Sequence, residues 1–471
     1  MSLVRNVAWM LAGRWVYNLV TLVSFTIIGS IISPADFGIY TLASTFLILA
    51  DTFYADAVEN LIVRQEGDEA TIAPTFFWVS LGYSIALAVA IVGLAWPFGW
   101  FYQDSQVTHA THAIAAIIIV QGSAAVPRAL LMRRKRSRQY ATNSAIGNVV
   151  GACVGIFAAL NGAGFWSLIF QQGCLHLTML VLCSIAARFR PRATYDRAAG
   201  HEFAGYVATM LWSTVLNVAS NRLDVLVVGA LYGSTATGLF GLARRLVQII
   251  QDLVASSFDK ILLSMVARQN MKGQADRLYR SSVLLQGITA IPSFAGFAVI
   301  APVLLPLVFG HEWGGAAPLV ILMAGGGVFR AMVTIERAQQ MAAGQMKQIA
   351  RVRLLELLIS AVLVGAFAWA GPAVLAATYT VRQFVGYVLV VRSRVGWTEA
   401  RVLLARTAGW LAMPVAAAGL MVVSVSLALS ELKPLVRVEV CLIVSVVVGI
   451  VAFASSLYGT KRFWLHHLIP R

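Results

Sequence analysis

The feature that most constrains this chain is a succession of fourteen apolar segments, each about as long as a helix that crosses a bilayer. A hydrocarbon core about 30 Å thick is spanned by about 20 helical residues. The segments lie at residues 7–31, 40–60, 74–98, 110–132, 141–160, 165–187, 205–231, 238–266, 283–308, 316–338, 353–370, 373–391, 405–428 and 438–457. Only 12% of the residues are charged, about half the share in soluble proteins. We therefore exclude a soluble enzyme and predict an all-α integral membrane protein with about 14 transmembrane helices.

The basic residues are distributed unevenly between the two sides of this predicted arrangement. Counted loop by loop, 26 Lys and Arg residues fall on one side, whereas the other side has only Lys433 and Arg437. Cytoplasmic loops of membrane proteins carry the excess of Lys and Arg, so both termini are predicted to be cytoplasmic. The net charge of +16 is therefore a sign of topology and indicates no nucleic-acid partner.

A weak internal repeat divides the chain. Phe37-Gly38-Ile39-Tyr40 returns 200 residues later as Thr237-Gly238-Leu239-Phe240, and Val126-Pro127-Arg128-Ala129-Leu130 has a counterpart 202 residues later in Val328-Phe329-Arg330-Ala331-Met332. The repeat spans six helices, so its two copies have the same orientation in the membrane. We predict two six-helix bundles related by pseudo-twofold symmetry, followed by two additional helices. The corresponding domains are residues 1–200, 201–395 and 396–471, the last with a cytoplasmic tail.

Ionisable and amide side chains interrupt several of the apolar segments. Each charge costs about 2.5–3.5 kcal/mol at the centre of a membrane helix, so such residues are candidates for function. Polar stripes on helices 1, 2, 7 and 8 suggest that these four helices line a water-filled cavity. The candidates are Arg14 and Asn18 in helix 1, Asp56 in helix 2, Asn217, Asn221, Arg222 and Asp224 in helix 7, Arg245, Asp252 and Asp259 in helix 8, Arg330 in helix 10 and Arg382 in helix 12.

Structural roles are the alternative for several charged side chains. Arg128 lies close to a predicted cytoplasmic end, and Arg244 and Arg245 lie within two turns of a periplasmic end. Each of these three long side chains could therefore snorkel to the membrane interface. Asp224 and Asp252 could instead form structural ion pairs with neighbouring arginines.

No motif in the sequence indicates catalysis, a cofactor or a metal. The chain has no Gly-rich phosphate loop ending in Lys-Ser or Lys-Thr, which argues against ATP hydrolysis. His109 and His112 have a spacing that could hold a metal, but no carboxylate or Cys ligand stands beside them, so a solvated helix end is expected. The four Cys residues show no metal-binding spacing. The small-residue run Gly147, Gly151 and Gly155 is predicted to pack helices.

Three loop motifs resemble those of a known family. Ser33-Pro34-Ala35-Asp36-Phe37-Gly38-Ile39-Tyr40 resembles the opening motif of bacterial polysaccharide-biosynthesis flippases of the Wzx type. Asn161-Gly162-Ala163-Gly164-Phe165-Trp166-Ser167-Leu168 resembles their turn before helix 6, and Phe309-Gly310-His311-Glu312-Trp313 resembles their element after helix 9. The resemblance implies two bundles around a central cavity, alternating access, and a location in the bacterial inner (cytoplasmic) membrane. It also implies a lipid-linked oligosaccharide as substrate, whose tail passes through a lateral gap between helices 1 and 8.

The resemblance and the arginines together predict a flippase for an undecaprenyl-pyrophosphate-linked oligosaccharide used in O-antigen, capsule or exopolysaccharide assembly. Guanidinium groups stay charged and bind phosphate oxygens bidentately. The predicted pyrophosphate contacts are Arg14, Arg222, Arg245, Arg330 and Arg382. The predicted sugar contacts are Asn18, Asn217 and Asn221. A coupling proton or Na⁺ could bind to an acidic side chain, for which the candidates are Asp56, Asp224, Asp252 and Asp259.

Two other classes of function remain open. A cation-coupled drug antiporter of the related MATE branch would favour a cavity of net acidic character, whereas this chain places many arginines in its helices. A membrane-embedded polysaccharide polymerase would be expected to carry catalytic groups on a sizeable loop, and the longest connections have about fifteen residues. A transporter without enzymatic activity is therefore favoured. Its expected partners are membrane lipids, with a polysaccharide polymerase and export machinery as candidate protein partners.

Overall fold

The protein is described by a computed structural model that covers residues 18–59, 61–62, 69–192, 194–256, 274–343, 345–432 and 438–459. All regular secondary structure in these residues is helical, as predicted. The described residues divide into two compact units, of which unit 1 ends at Gly238 and unit 2 begins at Leu239. The domain limits expected near residues 200 and 395 remain predictions.

Unit 1 consists of helices that run back and forth with short connections. They are α1 (Asn18–Ile31), α2 (Pro34–Phe53), α3 (Glu69–Phe101), α4 (Ser105–Arg133), α5 (Ser137–Leu160) and α6 (Trp166–Ala186). α2 continues into a π-helical turn over Tyr54–Glu59. The most extensive packing is between α3 and α4 and between α5 and α6.

The helical run Arg197–Ser256 is interrupted at Gly233, whose φ of 79° and ψ of −178° are not helical. Only glycine adopts this part of φ/ψ space without strain. The break divides the run into α7 (197–232) and α8 (234–256). It falls between residues 231 and 238, where the sequence predicts the connection between helices 7 and 8.

Unit 2 is also a set of packed helices. They are α9 (Gln274–Phe309), α10 (Ala316–Ala342), α11 (Met346–Phe367), α12 (Pro372–Val395), α13 (Trp397–Leu432) and α14 (Val438–Gly459). α10 packs most extensively against α12, and α13 packs against α9 and α14.

Ten helices in the described residues are long and apolar enough to cross a membrane. One of them, Ala199–Val254, includes the break at Gly233 and is long enough for two crossings. Each predicted segment overlaps one of the helices α1–α14, although the helices extend further, as α3 does beyond residues 74–98. The protein is therefore a multi-pass membrane protein, whereas the number of fourteen crossings and the side of the termini stay predictions.

Two of the three loop motifs contact each other at the start of α2. The Ser33 hydroxyl accepts from the backbone N of Asp36 at 3.1 Å and donates to its Oδ2 at 2.8 Å, while Pro34 occupies the first turn. Asp36 Oδ1 in turn accepts from the backbone N of Phe165 at 3.3 Å. A Cβ on Gly164 would lie 2.7 Å from that carboxylate oxygen. The two motifs therefore form one capping arrangement that joins α2 to the start of α6.

The third motif shapes the connection between α9 and α10. Gly310 ends α9 with a φ of 101°, which lies in the region that favours glycine. Trp313 is only 2% exposed, and its ring centroid lies 6.1 Å from that of Phe309. This element thus folds its two aromatic side chains back onto the helix end.

The repeated Phe/Thr-Gly motif makes a reciprocal contact through its glycines. A Cβ atom on Gly38 would lie 1.8 Å from the carbonyl oxygen of Ser234, and one on Gly238 would lie 1.8 Å from the carbonyl oxygen of Pro34. Both obstructing atoms belong to the backbone, which cannot turn aside as a flexible side chain can. The two copies of the motif therefore meet backbone to backbone, and each copy depends on its glycine.

The run of glycines on α5 serves packing, as predicted. A Cβ on Gly147 would lie 3.2 Å from the Leu175 carbonyl oxygen, and one on Gly151 would lie 2.5 Å from the Gln171 carbonyl oxygen. A Cβ on Gly155 would lie 2.8 Å from Gln171 Cβ. These small residues let the backbones of α5 and α6 approach closely, as is common where membrane helices cross.

Replacing Gly38 by Ala is expected to lower the stability of the purified protein. Overpacking a close contact typically costs about 1–3 kcal/mol, and the atom met here cannot rotate away. The matched control is Gly82→Ala on α3, where an added Cβ meets nothing within 4 Å. The apparent Tm of the detergent-solubilised protein measures both effects. Equal Tm values for Gly38→Ala and Gly82→Ala would contradict the close approach.

Candidate functional site

A polar cluster lies inside unit 1 on α2, α4 and α6. It consists of Asp51, Gln121 and His176 and is called the Asp51 cluster below. Gln121 is fully buried, and its Nε2 lies 2.6 Å from Asp51 Oδ1 and 2.9 Å from His176 Nε2. His176 is 4% exposed, whereas 48% of the Asp51 side chain is exposed. The cluster therefore runs from an open end at Asp51 to a closed end at His176.

An ion pair lies two turns along α4 from Gln121. Arg128 Nη2 is 2.8 Å from Glu59 Oε1, at the end of the π-helical turn, and Arg128 is only 8% exposed. The expectation that Arg128 snorkels to the interface is therefore wrong. α4 is the most buried of the ten apolar helices in the described residues. The Arg128 guanidinium group is therefore surrounded by protein and pairs with Glu59.

Two arginines meet at one aromatic ring in unit 2. Arg244 on α8 and Arg382 on α12 each place Cζ 5.4 Å from the ring centroid of Tyr379. Gln251 Nε2 lies 3.3 Å from the Tyr379 hydroxyl, and Arg382 Nη1 donates to Ser360 Oγ at 2.8 Å. These five residues are called the Tyr379 cluster. Arg244 is 9% exposed and Arg382 is 7% exposed, so both side chains are buried. The interpretation that Arg244 snorkels to the interface is therefore wrong.

The depth of the Tyr379 cluster follows from helix geometry. Arg244 lies ten residues from the start of α8, and Arg382 lies ten residues from Pro372 at the start of α12. At a rise of about 1.5 Å per residue both guanidinium groups are attached about 15 Å along their helices. That is half of a hydrocarbon core about 30 Å thick. The cluster is thus attached near the middle of the two helices.

A third buried group joins α9, α10 and α12. Glu336 is 1% exposed, accepts from the Tyr279 hydroxyl and lies 3.0 Å from Arg394 Nε. The Arg394 guanidinium also lies 4.8 Å above the Tyr279 ring. Tyr279 donates a hydrogen bond to the buried Glu336 carboxylate, and Arg394 supplies the opposite charge. These contacts stabilise the packing of α9, α10 and α12.

The candidates on α7 are brought close together. Asn221 Nδ2 donates to the carbonyl oxygen of Asn217 at 2.8 Å and lies 3.2 Å from its Oδ1. Asp224 is 2% exposed, and its Oδ1 accepts from the backbone N of Val225 at 3.0 Å. Arg222 is half-buried beside them. These polar groups form one continuous stretch of α7.

The remaining candidates are spread over other helices. Arg245 and Asp252 are exposed on α8, seven residues apart and hence on one face. Asn18 on α1 and Arg330 on α10 are half-buried. On the predicted polar face of α1, Thr21 Oγ1 accepts from Asn148 Nδ2 at 2.8 Å, so this face contacts α5. Arg14, Asp259 and the side chain of Asp56 lie outside the described residues.

An apolar cavity of about 470 Å³ lies in unit 2 between α8, α9, α13 and α14. Thr289 and Ser293 contribute the only hydroxyl groups among its described lining residues. Gly296 and Gly449 are also part of the wall, where the lack of a side chain leaves space. The cavity can therefore take a hydrocarbon group and offers little to a polar one.

Sequence reasoning missed the partners that complete these clusters. Gln121, His176 and Glu336 are not among the predicted site residues, although each interrupts an apolar segment. That interruption is the signal that could have found them. Within the described residues, no group of three His, Cys, Asp or Glu side chains is placed to hold a metal ion.

Breaking the ion pair in unit 1 from either side is expected to destabilise the protein. Removing one partner of a buried pair typically costs about 3–5 kcal/mol, because it leaves an uncompensated charge. Glu59→Gln and Arg128→Gln should each lower the apparent Tm, and the double variant should recover much of that loss. Glu202→Gln, at an exposed carboxylate of the same unit, is the control. Additive losses in the double variant would show that the two groups are not coupled.

Comparison with known sequences gives one family. A family model described as "Polysaccharide biosynthesis protein" matches residues 27–318, more than half of the chain. The succinoglycan biosynthesis transport protein ExoT of Rhizobium meliloti (strain 1021) is 23% identical over 326 residues, 69% of this chain and 66% of ExoT. The lipopolysaccharide biosynthesis protein WzxC of Escherichia coli (strain K12) is 22% identical over 321 residues, 66% of this chain and 64% of WzxC. The matches thus span slightly less than two thirds of these relatives.

Two solved structures show the same fold. Lipid II flippase MurJ, in an inward closed conformation, has a TM-score of 0.78 at 12% identity, over 97% of this chain and 99% of MurJ. The eukaryotic MATE transporter AtDTX14 has a TM-score of 0.53 at 16% identity, over 85% of this chain and 97% of AtDTX14. At these identities the likeness concerns the fold alone. The match over residues 27–318 shows that the chain belongs to the polysaccharide biosynthesis protein family.

Proposed function

We propose that this protein is a flippase that moves an undecaprenyl-pyrophosphate-linked oligosaccharide from the cytoplasmic to the periplasmic leaflet of the bacterial inner membrane. Membership of the family supports this, as do relatives named for succinoglycan transport and lipopolysaccharide biosynthesis. A protein of the same fold is named a lipid II flippase. The glycan would enter O-antigen, capsule or exopolysaccharide, and transport would proceed by alternating access.

The observation that carries the proposal is the Tyr379 cluster. Because Arg244 and Arg382 both lie 5.4 Å from one ring centroid, at most about 11 Å separates their guanidinium carbons. A pyrophosphate group presents oxygens on two phosphorus atoms and can be held from both ends by two such cations. Arginine is well suited to this contact because its fork of N–H donors matches phosphate geometry and it cannot lose its charge. We assign the pyrophosphate to this cluster.

The cost of the buried arginines points the same way. A charge near the centre of a membrane helix costs about 2.5–3.5 kcal/mol on insertion scales, and this cluster holds two of one sign. An anionic ligand offsets that cost while it is bound. An anionic headgroup that must cross the hydrocarbon layer with its charge intact is therefore the kind of ligand that these arginines would bind.

The sequence candidates complete the proposal. We propose that amides contact sugar hydroxyls, and these amides are Asn18, Asn217 and Asn221. Further arginines would contact the headgroup at other stages of transport, and these are Arg14, Arg222, Arg245 and Arg330. A polysaccharide polymerase and export machinery are proposed to receive the product.

The apolar cavity is proposed to hold part of the polyprenyl tail. Its wall is almost entirely hydrocarbon, and it lies in the same unit as the Tyr379 cluster. Lipid tails are as apolar as this wall, so the tail gains packing contacts here, and its methyl-branched units suit a wall of hydrocarbon side chains. We therefore propose that part of the tail lies between α8, α9, α13 and α14, and the lateral gap between helices 1 and 8 stays a proposal for its entry.

Transport in proteoliposomes tests the proposed function. A pyrophosphate-linked oligosaccharide in the inner leaflet becomes accessible to an added glycosidase only after it has crossed the bilayer. Exposure of the sugar that depends on the protein, with no efflux of a cationic dye, is the expected result. Dye efflux without sugar exposure would instead identify a drug antiporter. Elongation of the glycan in the same vesicles would identify a polymerase.

The double variant Arg244→Lys/Arg382→Lys is expected to slow sugar exposure at least about tenfold. Lys keeps the charge but not the bidentate contact, and a hydrogen bond to a charged group is worth about 1.5–3 kcal/mol. Arg401→Lys is the matched control, since Arg401 also lies over an aromatic ring, 5.0 Å from the centroid of Trp397, but is exposed. Full transport by the double variant, with the protein folded, would refute the assignment of the pyrophosphate.

Filling the cavity is expected to reduce transport without removing headgroup binding. Ser293→Trp places an indole ring into the space that the tail would occupy, so sugar exposure should fall severalfold. Ser426→Trp, at an exposed position of α13 that is not among the described lining residues, is the control. Equal rates for the two variants would place the tail elsewhere.

A further inference from the structure

The Asp51 cluster has a hydrogen-bond pattern that depends on protonation. The Gln121 amide nitrogen carries two hydrogens, and its two contacts, at 2.6 Å to Asp51 and 2.9 Å to His176, use both. His176 Nε2 must then accept, so the imidazole is neutral and carries its hydrogen on Nδ1. Asp51 Oδ1 must also accept, and an ionised carboxylate can do so.

Two polar atoms of this cluster have no hydrogen-bond partner among the described residues. They are Gln121 Oε1 and His176 Nδ1, in side chains that are 0% and 4% exposed. Leaving a buried polar atom unpaired typically costs about 1–3 kcal/mol. Because Oε1 has no partner among the described residues, no second hydrogen bond fixes the orientation of the Gln121 amide.

A second state follows from turning the Gln121 amide by half a rotation. Oε1 then faces Asp51 Oδ1, and two acceptors oppose each other unless Asp51 carries a proton. A protonated Asp51 donates to Oε1, and His176 donates to the same oxygen from Nε2. The ionised carboxylate therefore fits only the observed orientation of the amide, and the turned orientation fits only the protonated acid.

The charges around Asp51 favour uptake of one proton. Among the described residues, the charged and titratable groups that interact with Asp51 are Arg128 on α4, Glu59 on the π-helical turn and His176 on α6. Glu59 and Arg128 neutralise each other and the His176 imidazole is neutral, so these groups together with Asp51 have one net negative charge. A single proton on Asp51 neutralises it.

We propose that the Asp51 cluster is a proton-binding site, at which Asp51 takes up the proton whose movement drives transport. The proton comes from water at the exposed side of Asp51 and forms an O–H bond to its carboxylate. His176 changes from the Nδ1–H to the Nε2–H tautomer, which leaves its number of hydrogens unchanged. The driving role rests on the proposed transport function, whereas proton binding does not.

The chemistry of the site favours a proton over Na⁺. Hard cations bind through oxygen atoms, several at a time. The side-chain atoms nearest to Asp51 Oδ1 in this cluster are nitrogens, from Gln121 at 2.6 Å and from His176 at 3.8 Å. This site is therefore distinct from the coupling residues predicted from the sequence, which are Asp56, Asp224, Asp252 and Asp259.

Infrared difference spectra of the full-length protein in nanodiscs, recorded between acidic and neutral buffer, test proton binding without any glycan. The wild type should show the C=O stretching band of a protonated carboxylic acid, and Asp51→Asn should lose it. Glu431→Gln, at an exposed carboxylate on α13, is the control and should keep it. An unchanged band in folded Asp51→Asn would overturn the proposal.

Gln121→Leu is the second test and is decisive if Asp51→Asn does not fold. Losing the donor that stabilises the carboxylate should move the midpoint of the band's titration to higher pH by about one unit or more. An unchanged midpoint and frequency would refute the amide switch. A midpoint that shifts with Na⁺ but not with K⁺ would replace the proton by sodium.

Transport separates the two parts of the proposal. With a pH gradient across the proteoliposomes, wild-type sugar exposure should accelerate, and Asp51→Asn should not respond. If the band is present but the variant responds like the wild type, proton binding stands and the driving role is refuted. If the wild type moves no sugar at all, the proposed function fails and the spectra still decide the site.

Discussion

A hydrocarbon layer offers no hydrogen-bond partner, so the polar groups that this protein buries in its helices must find partners in other helices. Glu59 pairs with Arg128, Glu336 with Tyr279 and Arg394, and Arg382 with Ser360. Each of these contacts joins two or three helices within one unit. Because buried polar groups need hydrogen-bond or charged partners, their contacts also stabilise the packing of particular helices.

The composition of each buried group separates structural contacts from candidate binding sites. The Glu336 group combines a carboxylate with an arginine and a hydroxyl, so we interpret it as a structural contact between helices. The Tyr379 cluster gathers two cations at one ring, and the Asp51 cluster leaves acceptor and donor atoms unused beside an exposed carboxylate. The Tyr379 cluster is suited to bind an anion during transport, and the Asp51 cluster is suited to bind and release a proton.

Much of the fold could be predicted because the signals are local. Apolar length predicts each helix, Gly233 marks the break between α7 and α8, and the two loop motifs around Asp36 and Gly164 cap neighbouring helices. The sites are less predictable because their partners are distant in sequence, as Gln121 is from Asp51. Arg244 looked like an interfacial side chain by its distance from a helix end, whereas Tyr379 on another helix buries it.

Buried arginines of unit 2 are proposed to hold a pyrophosphate while an apolar cavity holds part of its tail. The most direct measurement is the thermal stabilisation of the purified protein by a polyprenyl pyrophosphate and by the polyprenol of the same length. A ligand stabilises the native protein according to its affinity, so the two carriers report the contribution of the headgroup. We predict much stronger stabilisation by the pyrophosphate, with the difference lost in Arg244→Lys/Arg382→Lys. Equal stabilisation by both carriers would contradict the account.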